Sequence, residues 1–216
     1  MWAIVKNNKV QEILKRPQAV NVGSVQHPKN IFFIWSNAKL KEFGIYPYSE
    51  ENPVEYDAEI HDLKPGALVI GSDEVVQKYT KILKSLVELK VVKLRHLKNH
   101  RDLVLNSGMK YKNTADDSGV IQTDKESRNN IQGAFLLTTV GKWANNHTWK
   151  TSDNSRLAMD SGNVKKMAIK VGQRTSICYY IQDLHETAID LLGTKTAVVN
   201  YDVTTGTTPD WPSIPV

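Results

Sequence analysis

The acidic stretch TDKES at residues 123–127 is the part of this sequence whose residue types could most readily do chemistry. Two nearby carboxylates, here Asp124 and Glu126, can act together as a general acid and a general base. Such a pair needs a base or a further carboxylate held at a fixed distance, and the sequence names no partner. Thr123 followed three residues later by Glu126 is also the capping box of a helix start. We therefore predict that Thr123 is an N-cap and that these acids begin a helix.

A second acid stands before an apolar run at Asp160. We predict that Asp160 is the N-cap of another helix. Met159 and Val164 would then form its hydrophobic staple, in which an apolar residue before the cap packs on the fourth helical residue. Both acidic positions are interpreted as helix starts, and neither as a catalytic site.

Two histidines and one cysteine are the other candidates for chemistry. His96 and His100 stand one helical turn apart, which suits two zinc ligands, but their basic neighbours would repel a cation. Cys178 lies in the apolar run ICYYI, whereas a reactive thiolate needs an electropositive and partly exposed setting. We expect a solvated helix face and a core cysteine. We expect no metal site, no cofactor and no catalytic residues.

Positive charge is concentrated between residues 78 and 112, which hold ten Lys and Arg and two acids. This segment is therefore net +8 within a chain of net +5, so the remainder is −3. Lysines and arginines that neutralise phosphates release counterions. However, Tyr79 and Tyr111 are the only aromatic rings here, too few for a stacking platform. We favour a solvated face or an acidic protein partner over nucleic acid. The candidate partner-binding residues are Lys84, Lys90, Lys93, Arg95, Lys98 and Arg101.

Composition limits the class of protein. The 216 residues are 40% hydrophobic and 24% charged, which is ordinary for a soluble globular chain able to bury a core. The single cysteine excludes an internal disulfide, and no apolar run approaches the roughly 18 residues of a membrane span. No secretory signal is visible, so we expect synthesis in a reducing compartment. No phosphate loop, nucleophile elbow, HExxH or CxxC pattern occurs, and we do not expect an enzyme.

The first half of the sequence is predicted to form short strands and one small helix. Two β-prone runs around Asn7 and Asn8 indicate a hairpin over residues 2–15. The apolar run at 30–35 is grouped with the predicted strands. Ser36, which follows it, is a candidate N-cap for a helix over 37–43. The alternating residues 54–61 and 67–82, the latter with a turn at 71–73, predict further antiparallel strands.

The second half alternates ribbons with helices. Apolar residues at three- and four-residue steps predict a basic helix from about residue 84 to 106, followed by hairpins over 109–123 and 149–158. The helix after residue 123 should bury Ile131, Ala134, Phe135 and Thr138. The last helix should run over 161–192, and the Thr- and Pro-rich tail after it should be extended.

The predicted fold class is therefore α+β. Residues 1–83 form an N-terminal antiparallel β-rich module, residues 84–107 a basic connecting helix, and residues 108–216 a C-terminal module of short β-hairpins and two helices.

Several motifs in this arrangement match a known family. They are RDLVLNSG, then GVIQTDKESRNNIQGA with Thr123, Asp124, Ser127, Ile131, Gly133 and Ala134, then a W-x-T-x-D-N hairpin with Trp149, Thr151, Asp153 and Asn154. The chain from Lys98 onward resembles a phage domain of unknown function that recurs in tail-associated and tail-fibre-assembly proteins of tailed bacteriophages. Two stretches within residues 2–48, WAIVKNNKVQEILKRP and HPKNIFFIWSNAKLKEFGIYPY, are similar to the head of phage tail proteins that precede this domain.

The resemblance implies a structural protein of a tailed-phage virion, in the tail or at the tail-fibre attachment, acting by protein–protein docking. It implies that residues 1–83 dock to the particle, that the partners are other phage tail or fibre proteins, and that the chain is made in the host cytoplasm. A homo-oligomer is expected in the particle. No membrane is expected. Two alternatives remain open: an assembly chaperone for tail fibres, and a nucleic-acid-binding accessory protein.

Overall fold

The chain changes from strand-forming to helix-forming patterns near residue 84, and the structure divides at the same place. A computed structural model describes residues 1–53, 55–113 and 117–215. It has an α+β fold with two units, Met1–Lys84 and Ser85–Val216. The predicted fold class is therefore confirmed.

The first unit begins with the hairpin that the sequence predicts. Strands β1 (Trp2–Lys6) and β2 (Lys9–Leu14) pair antiparallel around Asn7 and Asn8. Both asparagines have positive φ, 53° and 57°, as a two-residue hairpin turn of the favoured twist requires. Asparagine adopts this conformation more readily than most residues, which explains why the turn forms here.

The main sheet of this unit has five strands in the order β2-β1-β5-β7-β6. Strands β5 (Ile45–Glu51), β6 (His61–Ile70) and β7 (Val75–Leu83) complete it, and β3 (Val20–Val22) pairs with β4 (Val25–His27) in a separate ribbon. The β6–β7 hairpin turns at residues 71–74, as predicted. One pairing departs from the antiparallel prediction: β5 and β7 run parallel, with Tyr48 opposite Val75.

Two short helices lie between the strands. Helix α2 (Asn37–Glu42) begins at the predicted cap, because the Ser36 side chain accepts a hydrogen bond from the Lys39 amide at 3.2 Å. The apolar run at 30–35 is not a strand, and that expectation was wrong. It contains the single-turn helix α1 (Ile31–Ile34), which buries Ile31 and Phe32 on one side.

The prediction of a strand over residues 54–61 is wrong for residues 55–60. These residues form a loop with turns. The strand begins only at His61. Asp57 explains the difference, since its side chain accepts from the Glu59 amide at 2.8 Å and its carbonyl accepts from the His61 amide at 2.9 Å. An aspartate that bonds the backbone two residues on stabilises a turn against an extended strand. Val54 lies outside the described residues.

Among the residues of the second unit that the structure describes, four helices occur: α3 (Leu86–Asn106), α4 (Lys125–Thr139), α5 (Ser161–Leu191) and α6 (Lys195–Asn200). Between them lie the ribbons β8 (Met109–Lys112) with β9 (Ser118–Ile121), and β10 (Thr148–Lys150) with β11 (Arg156–Ala158). Both hairpins stand where the sequence predicts them. The turn residues 114–116 of the first lie outside the described part of the chain.

The helix predicted as a separate connector belongs to the second unit. Helix α3 starts with a capping box formed by Ser85 and Glu88, and it packs on α5 and α6. Its Leu97 is fully buried with Ile189 and Val203, and its Val104 and Leu105 cluster with Cys178. Because α3 shares two cores with α5, it is a structural part of that unit.

The largest core of the second unit joins the ribbons to α4 and α5. Its buried members are Tyr111, Ile121, Ile131, Ala134, Leu157, Met159, Val164, Met167 and Val171. Asp160 is the N-cap of α5 as predicted, accepting from the Asn163 amide at 2.7 Å. Met159 and Val164 are both fully buried in this cluster, as a hydrophobic staple requires.

The sequence predicts an extended C-terminal tail, but part of this segment is helical. The Thr194 side chain accepts from the Ala197 amide and begins α6, so residues 195–200 are helical. Residues 201–215 follow without regular structure. The apolar residues of TAVVN explain the helix, because Val198 is fully buried within it.

Candidate docking surface

The start of α4 is capped by a different residue from the one predicted. Asp124, not Thr123, is the N-cap, and its carboxylate accepts from the Ser127 amide at 3.0 Å and the Ser127 hydroxyl at 2.6 Å. These hydrogen bonds, with the hydroxyl first, lower the pKa of Asp124. The carboxylate is therefore held ionised at a helix N-terminus, where the dipole favours negative charge. The interpretation as a helix start stands, while the residue assignment is corrected.

Thr123 has a different role because it is almost fully buried. Its hydroxyl donates to the Leu105 carbonyl at 2.6 Å and accepts from the Gly108 amide at 3.0 Å. The side chain thus satisfies two backbone groups at the end of α3. Because these groups are 15 and 18 residues away in the chain, local sequence spacing gives no sign of this contact.

A groove between α4 and α5 is a concave and largely apolar feature of this unit. It has a volume of about 440 Å³. Buried Ile131 and Val171 form its floor. Its sides are formed by Arg128, Gln132, Phe135, Ala168, Gly172 and Thr175. Phe135 was predicted as a core residue, but it is only half-buried and contributes to this groove.

Small residues keep the groove open on the α5 side. A Cβ built on Gly172 would meet no atom within 4 Å, so the space over this glycine is empty. Large apolar side chains on the same two helices remain in solvent, including Leu136 at 58%, Val140 at 67% and Ile169 at 55% exposure. Exposed apolar area of this kind is typical of surfaces that bind other proteins.

Half of the predicted basic partner-binding residues are used inside the second unit. Lys90 donates to the Asp190 carbonyl at 2.7 Å. Lys93 donates to the carbonyls of Val199 and Tyr201 at 3.1 and 2.7 Å, and burial lowers its pKa. These lysines therefore join α3 to α5 and to the end of α6.

Arg101 is also used within the unit. Its guanidinium donates to Asp102 Oδ1 and to Gln182 Oε1, and it lies 4.9 Å from the centre of the Tyr179 ring. The remaining candidates are exposed Arg95 and Lys98 on α3 and half-buried Lys84 at the end of the first unit. The six residues therefore do not form one common basic face.

The histidine predicted on a solvated face instead packs in an aromatic cluster with the tail. His100 lies edge-on to Trp211, with ring centres 5.1 Å apart, and His185 stacks on the same indole at 5.9 Å. His185 is fully buried, and its Nδ1 is 2.8 Å from the Tyr201 hydroxyl. Burial is the largest cause of the lowered pKa of both histidines. The cluster stabilises the path of residues 201–211.

Cys178 is a core residue, as predicted. It is fully buried beside Val104 and Leu105, and burial raises the pKa of its thiol. Arg174, one turn earlier on α5, donates to the Val104 carbonyl at 2.8 Å and to the Ser213 carbonyl at 3.1 Å. Both side chains are thus part of the packing between α3, α5 and the tail.

The W-x-T-x-D-N hairpin is held by its own polar side chains. Thr151 is 1% exposed; its hydroxyl donates to Asp153 Oδ1 at 2.5 Å and lies 3.0 Å from the Ser155 carbonyl. The bond from Thr151, followed by hydrogen bonds from the amide and side chain of Ser155, lowers the pKa of Asp153 to about 2. Asn154 has a φ of 67°, which the turn needs. The motif therefore specifies a tight turn.

Two further properties concern only the residues that the structure describes. Within residues 1–53, 55–113 and 117–215, no three His, Cys, Asp or Glu side chains are grouped to hold a metal ion. No helix in these ranges is both long and apolar enough to cross a membrane.

The groove, the two ribbons, α5 and most of α3 fall in a stretch that matches a family model. The match covers residues 88–205 and corresponds to a domain of unknown function, DUF4376. Neither a curated protein sequence nor a solved structure matches the chain. Because the matched residues are more than half of the 216, the chain belongs to the DUF4376 family.

Proposed function

We propose that this chain is a structural protein of a tailed-phage virion, located in the tail or at the tail-fibre attachment. It acts by docking to another virion protein through the α4–α5 groove. The observation that carries the proposal is this open apolar groove of about 440 Å³, beside apolar side chains that remain in solvent. The motif resemblance to phage tail-associated proteins supports the choice of partner.

The shape and chemistry of the groove define the occupant that we expect. Its floor is apolar, and its lining also includes the polar residues Arg128, Asn129, Gln132 and Thr175. An apolar face of a helix or an extended segment fits such a site, with affinity that comes mainly from buried apolar surface. We therefore expect the partner segment to present two or three apolar side chains.

The first test is the protein content of purified particles of the phage whose genome encodes the chain. Mass spectrometry should find the chain at a copy number comparable with the other tail proteins. Absence of the chain from infectious particles, together with a raised yield of folded fibre on co-expression, would indicate an assembly chaperone and overturn the proposal.

The second test closes the groove without disturbing the core. Gly172 is helical and open above its Cα, so Gly172→Phe places a ring in the groove and is compatible with the helix. Phage carrying this change should assemble particles that lack the chain or contain much less of it. Gly133→Phe is the matched control, since Gly133 is also open and helical but is not one of the residues that line the groove.

Equal incorporation of the Gly172→Phe and Gly133→Phe proteins would exclude the groove as the docking site. Circular dichroism of both purified variants should match that of the unchanged protein, so that a folding defect is not mistaken for lost docking. The exposed apolar Val87 on α3 provides a third variant, Val87→Asp, that should leave incorporation unchanged.

A further inference from the structure

We infer that residues 203–213 form a strap over α3 and α5 that detaches reversibly as the medium becomes acidic, with His185 and His100 as the groups that sense the change. The strap has no regular secondary structure and follows α6 in the chain. None of its residues lines the α4–α5 groove, and the inference does not depend on the docking function proposed above.

Trp211 is the side chain that fastens the strap to the helices. Its ring packs on two apolar clusters, one that contains Leu97 of α3 and one that contains Cys178 of α5. Its indole N–H donates to the Val203 carbonyl at 3.0 Å, and this hydrogen bond lies within the strap itself. Because the segment is held by side chains and is not part of a sheet or helix, it can leave as one piece when Trp211 loses its place.

Two histidines from different helices hold the indole ring. His185 of α5 stacks on it, with ring centres 5.9 Å apart and ring planes 11° apart. His100 of α3 meets it edge-on, with ring centres 5.1 Å apart and an angle of 78°. A charge gained by either imidazole therefore acts directly on the ring that fastens the strap.

His185 is poorly placed to carry a charge while the strap is closed. It is fully buried, its Nδ1 is 2.8 Å from the Tyr201 hydroxyl, and its Nε2 has no hydrogen-bond partner among the described residues. A protonated imidazole donates from both nitrogens, so the charged form would have an unsatisfied N–H in a site without water. The face of the indole attracts a cation, but this gain is smaller than the hydration that a fully buried charge loses.

The surrounding charges do not offset this cost. Charged and titratable residues on the neighbouring turns are Lys93, His96, His100 and Arg101 on α3, the last paired with Asp102, then Glu186 on α5, and Tyr201 and Asp202 before the strap. Burial is the first cause of the lowered pKa of His185, and His100 lowers it further, whereas Asp202 raises it by less. Asp202 is exposed, and its carboxylate accepts from the Thr204 amide at 2.8 Å.

These properties give the direction of the change with pH. Once the strap lifts, both imidazoles reach water and titrate near the ordinary value of 6.5, whereas in the closed form burial lowers the pKa of each. The open form therefore binds protons more readily, so the strap is closed above pH 6.5 and opens as the pH falls below it. Opening uncovers the apolar side chains of α3 and α5 on which Trp211 packs.

The test is an NMR titration of the isotope-labelled full chain from pH 8 to pH 5. At pH 8 the heteronuclear NOE of residues 203–213 should match that of α6. At pH 5 it should fall to values typical of a flexible segment, while α3 and α5 keep theirs, and it should recover on return to pH 8. We expect the ratio of open to closed strap to rise by about tenfold or more over this range. Trp211→Ala should show the open signature already at pH 8.

Histidine variants assign the response to the two imidazoles. His100 is only half-buried, so His100→Gln disturbs the packing little and should reduce the opening at pH 5, because it removes one titrating group and its repulsion of His185. His185→Gln should reduce the opening as well. His147→Gln is the matched control, since His147 is exposed in the same unit, and it should keep the full response. Circular dichroism at pH 8 verifies the fold of each variant.

Three results would overturn the inference. One is a heteronuclear NOE of residues 203–213 that is the same at pH 5 and pH 8 in the unchanged protein. Another is undiminished opening at pH 5 in the folded His100→Gln protein. The third is loss of α3 and α5 together with the strap, which would mean that acid unfolds the unit and that the strap does not open separately.

Discussion

Thr123 and Asp124 are neighbours in the chain, but they differ in exposure to solvent and in the groups that they bond. Thr123 is buried and bonds two backbone groups from the end of α3, whereas Asp124 is half-buried and caps α4. Residue type alone does not show which of the two caps α4, because threonine and aspartate are both good N-caps. Burial decides between them, since a buried hydroxyl must find partners wherever the fold provides them.

Replacing Thr123 by Val should therefore destabilise the second unit more than loss of a cap would. Valine has nearly the same shape but leaves the Gly108 amide and the Leu105 carbonyl without this partner in a buried site. We expect a loss of about 1–3 kcal/mol in the free energy of unfolding, measured by urea denaturation. Thr123→Ser, which keeps the hydroxyl, should recover most of it. Equal losses in both variants would contradict the assigned role.

Replacing Asp124 by Ala should cost about 1 kcal/mol through the lost cap. Asp124→Asn retains an oxygen that accepts from the Ser127 amide, so it should cost less and leave partner docking intact. Urea denaturation measures the first effect, and particle incorporation measures the second. A strong docking defect in a stably folded Asp124→Asn protein would show that the carboxylate itself contacts the partner.

His185 should make stability depend on pH. Its pKa is lowered in the folded chain, first by burial and then by His100, so the folded state disfavours the protonated form. Stability is therefore fully present above the ordinary pKa of 6.5 and is lost as pH falls from there towards the lower folded value. Asp202 acts in the opposite direction, Lys93 lies nearby on α3, and Tyr201 bonds Nδ1.

The check is urea unfolding followed by far-ultraviolet circular dichroism between pH 5 and 8. The unchanged protein should lose stability on acidification, and His185→Gln should be less stable at pH 8 but show a shallower pH dependence. His147→Gln, at an exposed position of the same unit, should keep the full dependence. A pH profile identical in the His185→Gln protein would assign the effect to other groups.

At the scale of elements, α4 has three distinct sides. Ile131, Ala134 and Thr138 face the core, Phe135 and Gln132 line the groove, and Leu136 and Val140 are exposed. The helical spacing predicts the first set and misplaces Phe135, because the position of α5 determines where the core ends and the groove begins. A helical projection of the sequence also shows Leu136 and Val140 away from the core, which was the available sign of a second apolar surface.

Truncation of these side chains should follow their burial. Ile131→Ala, in the core at 2% exposure, should lower the free energy of unfolding by about 2–5 kcal/mol. Phe135→Ala should cost less than the upper end of the 3–5 kcal/mol of a fully buried phenylalanine, about 2–3 kcal/mol, since part of the ring is already in solvent. Urea denaturation of both variants compares them. A larger loss for Phe135 would mean that the groove is closed in solution.

At the scale of the whole molecule, the two units have separate cores. The clusters of the first unit draw on residues between Trp2 and Val75, and those of the second on residues between Leu94 and Trp211. The change of sequence pattern near residue 84 coincides with this division, because a sheet core and a helix core are built on different periods.

The second unit should therefore fold without the first. Residues 85–216 expressed alone should give a helical circular dichroism spectrum and a cooperative thermal transition, because every member of its three clusters is retained. Trp211→Ala serves as a probe of the tail, since it removes the ring between His100 and His185 and should increase hydrogen exchange in residues 201–211. A fragment that lacks cooperative melting would contradict two independent cores.

Local chemistry determined much of this structure from sequence alone. The turn at Asn7 and Asn8, the caps at Ser36 and Asp160 and the extents of α3 and α5 depend on residues a few positions apart, so their patterns can be read directly. Only the tertiary structure decided the parallel pairing of β5 with β7, the buried role of Thr123 and the internal use of Lys90, Lys93 and Arg101. It alone formed the α4–α5 groove and placed Lys170 over the Tyr111 ring. These features join residues far apart in the chain, and the free energy that selects them comes from packing and desolvation between elements, which local spacing does not encode.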